Sequence, residues 1–290
     1  MTILVLGGSG QLASHLKGLL PDATFWGRDQ FDLRNPSGLA AAIERAQPEL
    51  VINSAAYTAV DKAEVEREAA WSVNAEAPAM AARAAASLDI PLVHVSTDYV
   101  FDGYKQGEYS VGDACNPLGV YGNTKLAGEV AVRVLAPKCW ILRTSWVFSE
   151  FGSNFVKTII RLANERDELR VVADQFGRPT YAGDLARLIA RIALGPATAV
   201  SVPFGTYHAV GGAVTSWHGF AEVIVQTALR SGLLSRAPVV RPISTSEYPT
   251  AARRPLNSSL EPSSELFSAT GVGFDWVEGL RATVRACPRG

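Results

Sequence analysis

Four apolar residues, Ile3-Leu4-Val5-Leu6, run directly into Gly7-Gly8-Ser9-Gly10-Gln11-Leu12-Ala13. A short apolar run cut by glycines and followed by helix formers reads as strand, tight turn and helix start. Gly7 suits the turn, Gly10 lets a pyrophosphate approach the backbone, and Ala13 permits close packing of helix on strand. The first-turn N–H groups of a helix have no partner within it, so they are free to face phosphate. Such a cluster also fits a plain strand-to-helix turn. Its place directly after an apolar strand favours a dinucleotide site.

The rest of the first half keeps that rhythm. Strands are expected at Ile3–Leu6, Thr24–Trp26, Leu50–Asn53, Leu92–Val95 and Trp140–Arg143, with helices near Gln11–Leu20, Pro36–Gln47, Asp61–Leu88 and Tyr121–Leu135. Alternation of this kind predicts an α/β fold, a doubly wound parallel (Rossmann) sheet with right-handed crossovers. The strands are near-continuous apolar runs, as expected when helices cover both faces. After Ser149 the pattern changes. Helices near Asn154–Arg166 and Asp184–Leu194 are followed by polar, non-periodic stretches at Asp174–Tyr181, Gly211–Trp217 and Ser244–Ser259. The expected division is an NAD(P)-binding domain over residues 1–150 and a smaller C-terminal α/β substrate-binding lobe over 151–290, some of whose segments return to the first domain. Its loops would cover the carboxyl edge of the sheet, where ligands of open α/β folds bind.

The 290 residues are 48% hydrophobic, enough for a sizeable core, and Lys+Arg 27 against Asp+Glu 28 gives a net charge of -1. That balance gives no general attraction to nucleic acid or an anionic membrane. No uncharged apolar run reaches the ~18 residues of a membrane span, and no secretory signal pattern is visible at the N-terminus. Cys115, Cys139 and Cys287 are odd in number and scattered, which fits reduced thiols in a cytoplasmic protein. The four histidines show no ligand spacing, and no metal site is expected.

The second strand ends at Phe25-Trp26-Gly27-Arg28. A carboxylate here would favour NAD, whereas an arginine accommodates the 2′-phosphate of NADP. Arg28 therefore points to NADPH, with NADH also open because Asp29 and Asp32 are near. Ala55, Ala56, Tyr57 and Thr58 follow the third strand with mostly small side chains, as a cofactor lying across the sheet edge requires. Asn74 falls inside a helical stretch, where a cap and a site residue are both open readings.

Ser96-Thr97 closes the fourth strand, and Tyr121-Gly122-Asn123-Thr124-Lys125 begins the next helix. Residues four apart share one helix face. A tyrosine near its usual pKa of ~10 is a poor acid–base group at neutral pH. A neighbouring ammonium favours the phenolate, so Lys125 is expected to pull the Tyr121 pKa down. Thr97 would then share a substrate oxygen with the phenol.

The glycine cluster, Ser96-Thr97 and Tyr121-x-x-x-Lys125 resemble the extended short-chain dehydrogenase/reductase superfamily. Narrower matches are Val95-Ser96-Thr97-Asp98-Tyr99-Val100-Phe101-Asp102-Gly103, Ala56-Tyr57-Thr58-Ala59-Val60-Asp61-Lys62-Ala63-Glu64 and Val120-Tyr121-Gly122-Asn123-Thr124-Lys125-Leu126-Ala127-Gly128-Glu129. With Arg143 to Phe148, Asp174 to Thr180, Trp217-His218 and Arg254 to Ser258, they resemble the dTDP-4-dehydrorhamnose reductase family over nearly the whole chain.

The resemblance implies reduction of a dTDP-4-keto-6-deoxysugar. Gly7, Gly10, Gln11 and Leu12 would lie at the cofactor diphosphate, Arg28, Asp32 and Leu33 at the adenosine half, and Ala56, Tyr57, Thr58 and Val95 along its middle. Tyr121 would donate the proton, Lys125 would bind the nicotinamide ribose, and Thr97 would orient the ketone. Asp98, Tyr99 and Trp146 would line the sugar pocket, although Trp146 also fits plain core and Asp98 a turn cap. Arg254, with Arg253, would hold the substrate diphosphate or form a solvated basic pair. Where some family members carry a magnesium-binding carboxylate in the first helix, this chain has His15, a poor ligand for a hard cation. A monomer or weak homodimer is therefore expected. Identical catalytic residues would serve a reductase of another dTDP-4-keto-6-deoxysugar, and a non-catalytic NADP-binding regulatory subunit is the reading from a different class.

Overall fold

Six parallel strands form the central sheet: β1 (Ile3–Leu6), β2 (Thr24–Trp26), β3 (Leu50–Asn53), β4 (Leu92–Thr97), β5 (Cys139–Thr144) and β10 (Gly205–His208). Their order in this computed structural model, which describes residues 1–195 and 201–288, is β10-β5-β4-β3-β1-β2. Alternate residues of β1 feed two different cores. Ile3 and Val5 pack with α1 (Gln11–Leu19) and α8 (Ala182–Ala193) through Leu12, Leu16, Leu185 and Ile189. Leu4 and Leu6 pack with α2 (Leu39–Ala46) and with the alanines of α5 (Ala77–Ser87). Each fully buried Leu or Ile contributes about 1.5–3 kcal/mol, so the two-faced burial of the strands dictates the doubly wound architecture. The strand order reverses between β1 and β3, which places the ligand crevice at the carboxyl ends of these two strands.

The bounds expected for β1, β2 and β3 match the structure, and β4 and β5 extend slightly further. The stretch expected as one helix over Asp61–Leu88 is broken into α3 (Val60–Ala63), α4 (Arg67–Trp71), a π-helical turn at Ser72–Glu76, and α5. The π turn carries Asn74 and bulges against α6 (Val120–Leu135). A Cβ on Gly128 of α6 would lie 2.1 Å from the Asn74 carbonyl oxygen, so the two backbones meet where only glycine fits.

Beyond Ser149 a second core forms between α7 (Phe155–Glu165), α9 (Trp217–Arg230) and α11 (Trp276–Ala286), built on Val156, Ile159, Phe220, Ile224 and Leu280. β7 (Glu168–Val172) pairs in parallel with β12 (Val239–Ile243) beside it. The stretches expected as non-periodic loops contain short strands. β8 (Phe176–Gly177) pairs with β11 (Thr215–Ser216), and β6 (Val147–Phe148) with β9 (Thr180–Tyr181). Among the described residues no helix is long and apolar enough to cross a membrane.

Candidate active site

At the switch point, Gly7 has φ +97°, and a Cβ there would come within 2.8 Å of the Ala55 amide nitrogen. The turn after β1 thus presses on the turn after β3, and only glycine satisfies both constraints. A Cβ on Gly10 would meet nothing closer than the Gly7 carbonyl oxygen at 3.9 Å. No side chain caps α1 at Gly10. An uncapped helix start beside open space, with a positive dipole end, fits a dinucleotide pyrophosphate. Gln11 turns its side chain toward the second half of the chain, accepting from Ser149 Oγ at 3.1 Å and Asn154 Nδ2 at 2.9 Å. Leu12 is buried in the core under the turn.

At the end of β2, Arg28 is exposed. Asp32 is clasped by Arg34, whose Nε lies 3.1 and 3.0 Å from the two carboxylate oxygens. Those hydrogen bonds hold the Asp32 carboxyl at about 2, with Arg28 adding a smaller pull the same way. Asp32 is therefore a charged partner of Arg34, a residue that the sequence reading passed over. Arg28 also acts on this carboxylate, so two guanidinium charges neighbour Asp32, a feature suited to a phosphate. Leu33 is packed into the core with Leu4 and Leu39.

Ala56, Tyr57 and Thr58 form the loop after β3, held by a side chain whose partners the sequence did not reveal. Asn74, fully buried, accepts from the Tyr57 N–H at 2.8 Å and donates to the Tyr57 carbonyl at 3.1 Å. Its amide also donates to Thr124 Oγ1 at 3.1 Å. One side chain thus ties the loop to the helix that carries Tyr121 and Lys125.

Thr97 ends β4, and Tyr121 opens α6. Gly122 lets the two approach: a Cβ there would fall 2.2 Å from the Tyr99 carbonyl oxygen. Burial raises the Tyr121 pKa, Asp98 and Tyr99 add to the rise, and contact with the Thr97 hydroxyl opposes it. The downward pull expected from Lys125 is absent. Lys125, 1% exposed, donates from Nζ to the Val95 carbonyl at 2.7 Å, and its own pKa is lowered by burial to about 8. With its ammonium spent on a main-chain acceptor, the phenol stays protonated, the state an acid needs.

Thr97 Oγ1 donates to Asp98 Oδ1 at 2.9 Å. Asp98 is 2% exposed, and burial pushes its carboxyl up to about 7, against hydrogen bonding from Ser258 and Thr97 that favours the charge. Tyr99 packs edge-on to Tyr121 with ring centroids 5.8 Å apart. Burial lifts the Tyr99 hydroxyl to about 12. Arg254 reaches that hydroxyl at 3.4 Å while its other nitrogen pairs with Asp61 at 2.7 Å. Arg254 is thus tied into the wall behind Tyr99. Arg253, exposed and stacked over Tyr104 at 5.8 Å, borders a cavity of about 450 Å³ lined also by Leu118, Tyr248 and Arg254. Trp146 lies two residues beyond Thr144, the register partner of Thr97, so it stands at the same sheet edge. Below this edge a buried ion pair, Arg143–Glu129 at 2.8 Å, braces β5 against α6.

His15 is engaged within the chain. Its Nε2 lies 3.4 Å from Glu150, and its ring meets Phe151 and Tyr181 edge-on. Among the described residues no group of three His, Cys, Asp or Glu could hold a metal ion.

A model for the RmlD substrate binding domain matches residues 1–287. The chain is 43% identical over 288 residues to the dTDP-4-dehydrorhamnose reductase of Aggregatibacter actinomycetemcomitans, covering 96% of this chain and 97% of that one. The chain belongs to the dTDP-4-dehydrorhamnose reductase family. Among solved members, the reductase of Clostridium acetobutylicum superposes with a TM-score of 0.87 at 35% identity, over 98% of this chain and 99% of that one. The Bacillus anthracis reductase, crystallised in complex with NADP, gives the same TM-score and identity over 99% of each chain.

Proposed function

We propose that this protein is an oxidoreductase that reduces the 4-keto group of dTDP-4-dehydro-β-L-rhamnose to dTDP-β-L-rhamnose with NADPH. The observation that carries the reading is the convergence of Thr97, Asp98 and a protonated Tyr121 at the sheet edge facing an uncapped dinucleotide turn. Gly7, Gly10, Gln11 and Leu12 hold the diphosphate of the cofactor. Arg28 and Arg34 take the 2′-phosphate, with Asp32 fixing Arg34. Ala56, Tyr57, Thr58 and Val95 flank its middle. When bound, the reduced nicotinamide supplies a hydride to the sugar carbonyl carbon.

Thr97 and Tyr121 share the carbonyl oxygen, and Tyr121 gives up its proton as the alkoxide develops. Lys125 binds the nicotinamide ribose and stabilises the phenolate left on Tyr121, which requires its ammonium to leave the Val95 carbonyl. Asp98 and Trp146 orient the sugar. Arg253, at the mouth of the 450 Å³ cavity, takes the substrate diphosphate, while Arg254 positions Tyr99. Residues 1–150 form the cofactor-binding unit and 151–290 mainly the substrate-binding lobe, with β10 returning to the sheet. The protein works in the cytoplasm as a monomer or weak homodimer, a reading supported by His15, a poor ligand for a hard cation where some relatives carry a magnesium-binding carboxylate.

The test is incubation with NADPH and the 4-keto sugar nucleotide, with the product identified by NMR. Formation of dTDP-β-L-rhamnose supports the reading. A product of other configuration at C4 would assign a different deoxysugar, and no oxidation of NADPH would refute reductase activity.

A further inference from the structure

Trp146 has φ +47°, a left-handed conformation that side-chain-bearing residues avoid. Its indole is stacked on Trp217, with ring centroids 3.6 Å apart and planes within 9° of parallel. Phe155 backs Trp217 at 4.6 Å. Gly177 lies against the Trp146 ring: a Cβ there would fall 2.6 Å from Cε2 and 2.8 Å from both Cζ2 and Nε1. Gly177 and Trp217 are fixed relative to one another. Gly177 pairs with Thr215 across β8 and β11, and Ser216, the next residue, caps α9 by accepting from the Gly219 N–H at 3.0 Å. The chain on either side of Trp146 is fastened too. Ser145 Oγ donates to the Arg178 carbonyl at 2.6 Å, and the Thr180 N–H reaches the Trp146 carbonyl at 3.3 Å. A strained residue persists where its surroundings over-determine it, and such strain concentrates at ligand sites.

We propose that Trp217 and Gly177 are positioning residues for the sugar: together they hold the Trp146 indole as a rigid wall against which the C–H face of a 6-deoxysugar packs. The proposal rests on the reading of Trp146 as part of the sugar pocket. Stacking fixes the plane of the indole, and the missing Cβ of Gly177 sets how far it retreats from the bound sugar. Such a wall recognises the apolar face of the substrate and leaves NADPH untouched.

The experiment compares the wild type with Trp217→Phe, Trp217→Ala and Gly177→Ala. Sugar-nucleotide KM should rise roughly 3–10-fold in Trp217→Ala, the size expected of a stacked aromatic pair, with Trp217→Phe between it and the wild type. Gly177→Ala should raise KM as well, because the added methyl displaces the Trp146 ring. NADPH affinity should stay within twofold in all three. The circular-dichroism couplet of the stacked indoles should vanish in Trp217→Phe and equally in Trp146→Phe. An unchanged sugar KM in Trp217→Ala, or a parallel loss of NADPH affinity and thermal stability, would overturn the proposal. If the wild type itself fails to reduce the sugar nucleotide, the function reading falls and this proposal with it. If the wild type turns over and the variants match it in sugar KM, this proposal alone is wrong.

Discussion

Replacing Asn74 by alanine removes three hydrogen bonds in one step: two to the Tyr57 main chain and one to Thr124. A typical intramolecular hydrogen bond contributes about 1 kcal/mol net, and more where a buried partner is left unmatched. The loss is therefore about 3 kcal/mol of stability, which for a chain of this length lowers Tm by about 5 °C. The effect on function has a separate origin. Without its clamp the loop of Ala56, Tyr57 and Thr58 must be ordered when cofactor binds, and fixing even one residue costs about 1–2 kcal/mol. NADPH affinity should fall roughly tenfold, which is about 1.4 kcal/mol. Asn74→Asp keeps the acceptor for the Tyr57 N–H but sets a carboxylate oxygen against the Tyr57 carbonyl, so it should do no better than alanine. Thermal unfolding followed by circular dichroism and a fluorescence titration with NADPH measure both effects. If Asn74→Ala unfolds at the wild-type temperature and binds NADPH equally well, Asn74 does not clamp the loop.

Three further outcomes are expected. Arg28→Asp should move the ratio of kcat/KM for NADPH over NADH toward NADH, and Arg34→Ala should shift it the same way while freeing Asp32; an unchanged ratio in both would remove this corner from 2′-phosphate recognition. The Asp98 carboxyl, raised to about 7 in the folded state, contributes stability that is complete below the unfolded value of ~4 and is lost as pH rises through 7. The fall in Tm from pH 5 to 8 should accordingly be smaller in Asp98→Asn than in the wild type, and an identical fall would show that Asp98 keeps an ordinary pKa. With no group of three His, Cys, Asp or Glu among the described residues able to hold a metal ion, EDTA should leave activity and the mass by light scattering unchanged, whereas a drop in mass would reveal a metal-bridged assembly.

The first half of the fold was legible because its signals are local. An apolar run cut by glycine marked β1, an apolar run ending in small residues after Asn53 marked β3, and the spacing from Thr97 to Tyr121 and Lys125 marked α6. What escaped depended on tertiary contacts. The alanine-rich run through residues 61–88 carries one breaker, Pro78, which stands in the first turn of α5, but nothing periodic marks the π turn just before it, where Asn74 bonds outward and Gly128 admits it. β10, Gly205-Thr206-Tyr207-His208, is too short and polar to read as a strand and is held by pairing with β5. Arg34 gained meaning only through its clasp on Asp32. Arg253 and Arg254 are adjacent and chemically identical, and only the Asp61 pair tells the braced one from the exposed one. The same holds for Lys125, whose ammonium is turned to the Val95 carbonyl and leaves burial to set the Tyr121 pKa.

The central claim is that Tyr121 delivers the proton, and Tyr121→Phe tests it most directly by removing one oxygen while keeping the ring that packs against Tyr99. Single-turnover oxidation of NADPH by the sugar nucleotide, followed by absorbance beside a cofactor-binding titration, separates chemistry from binding. The account predicts hydride transfer slowed roughly 10²–10⁴-fold with NADPH affinity unchanged. Transfer at the wild-type rate in a folded Tyr121→Phe variant would contradict it.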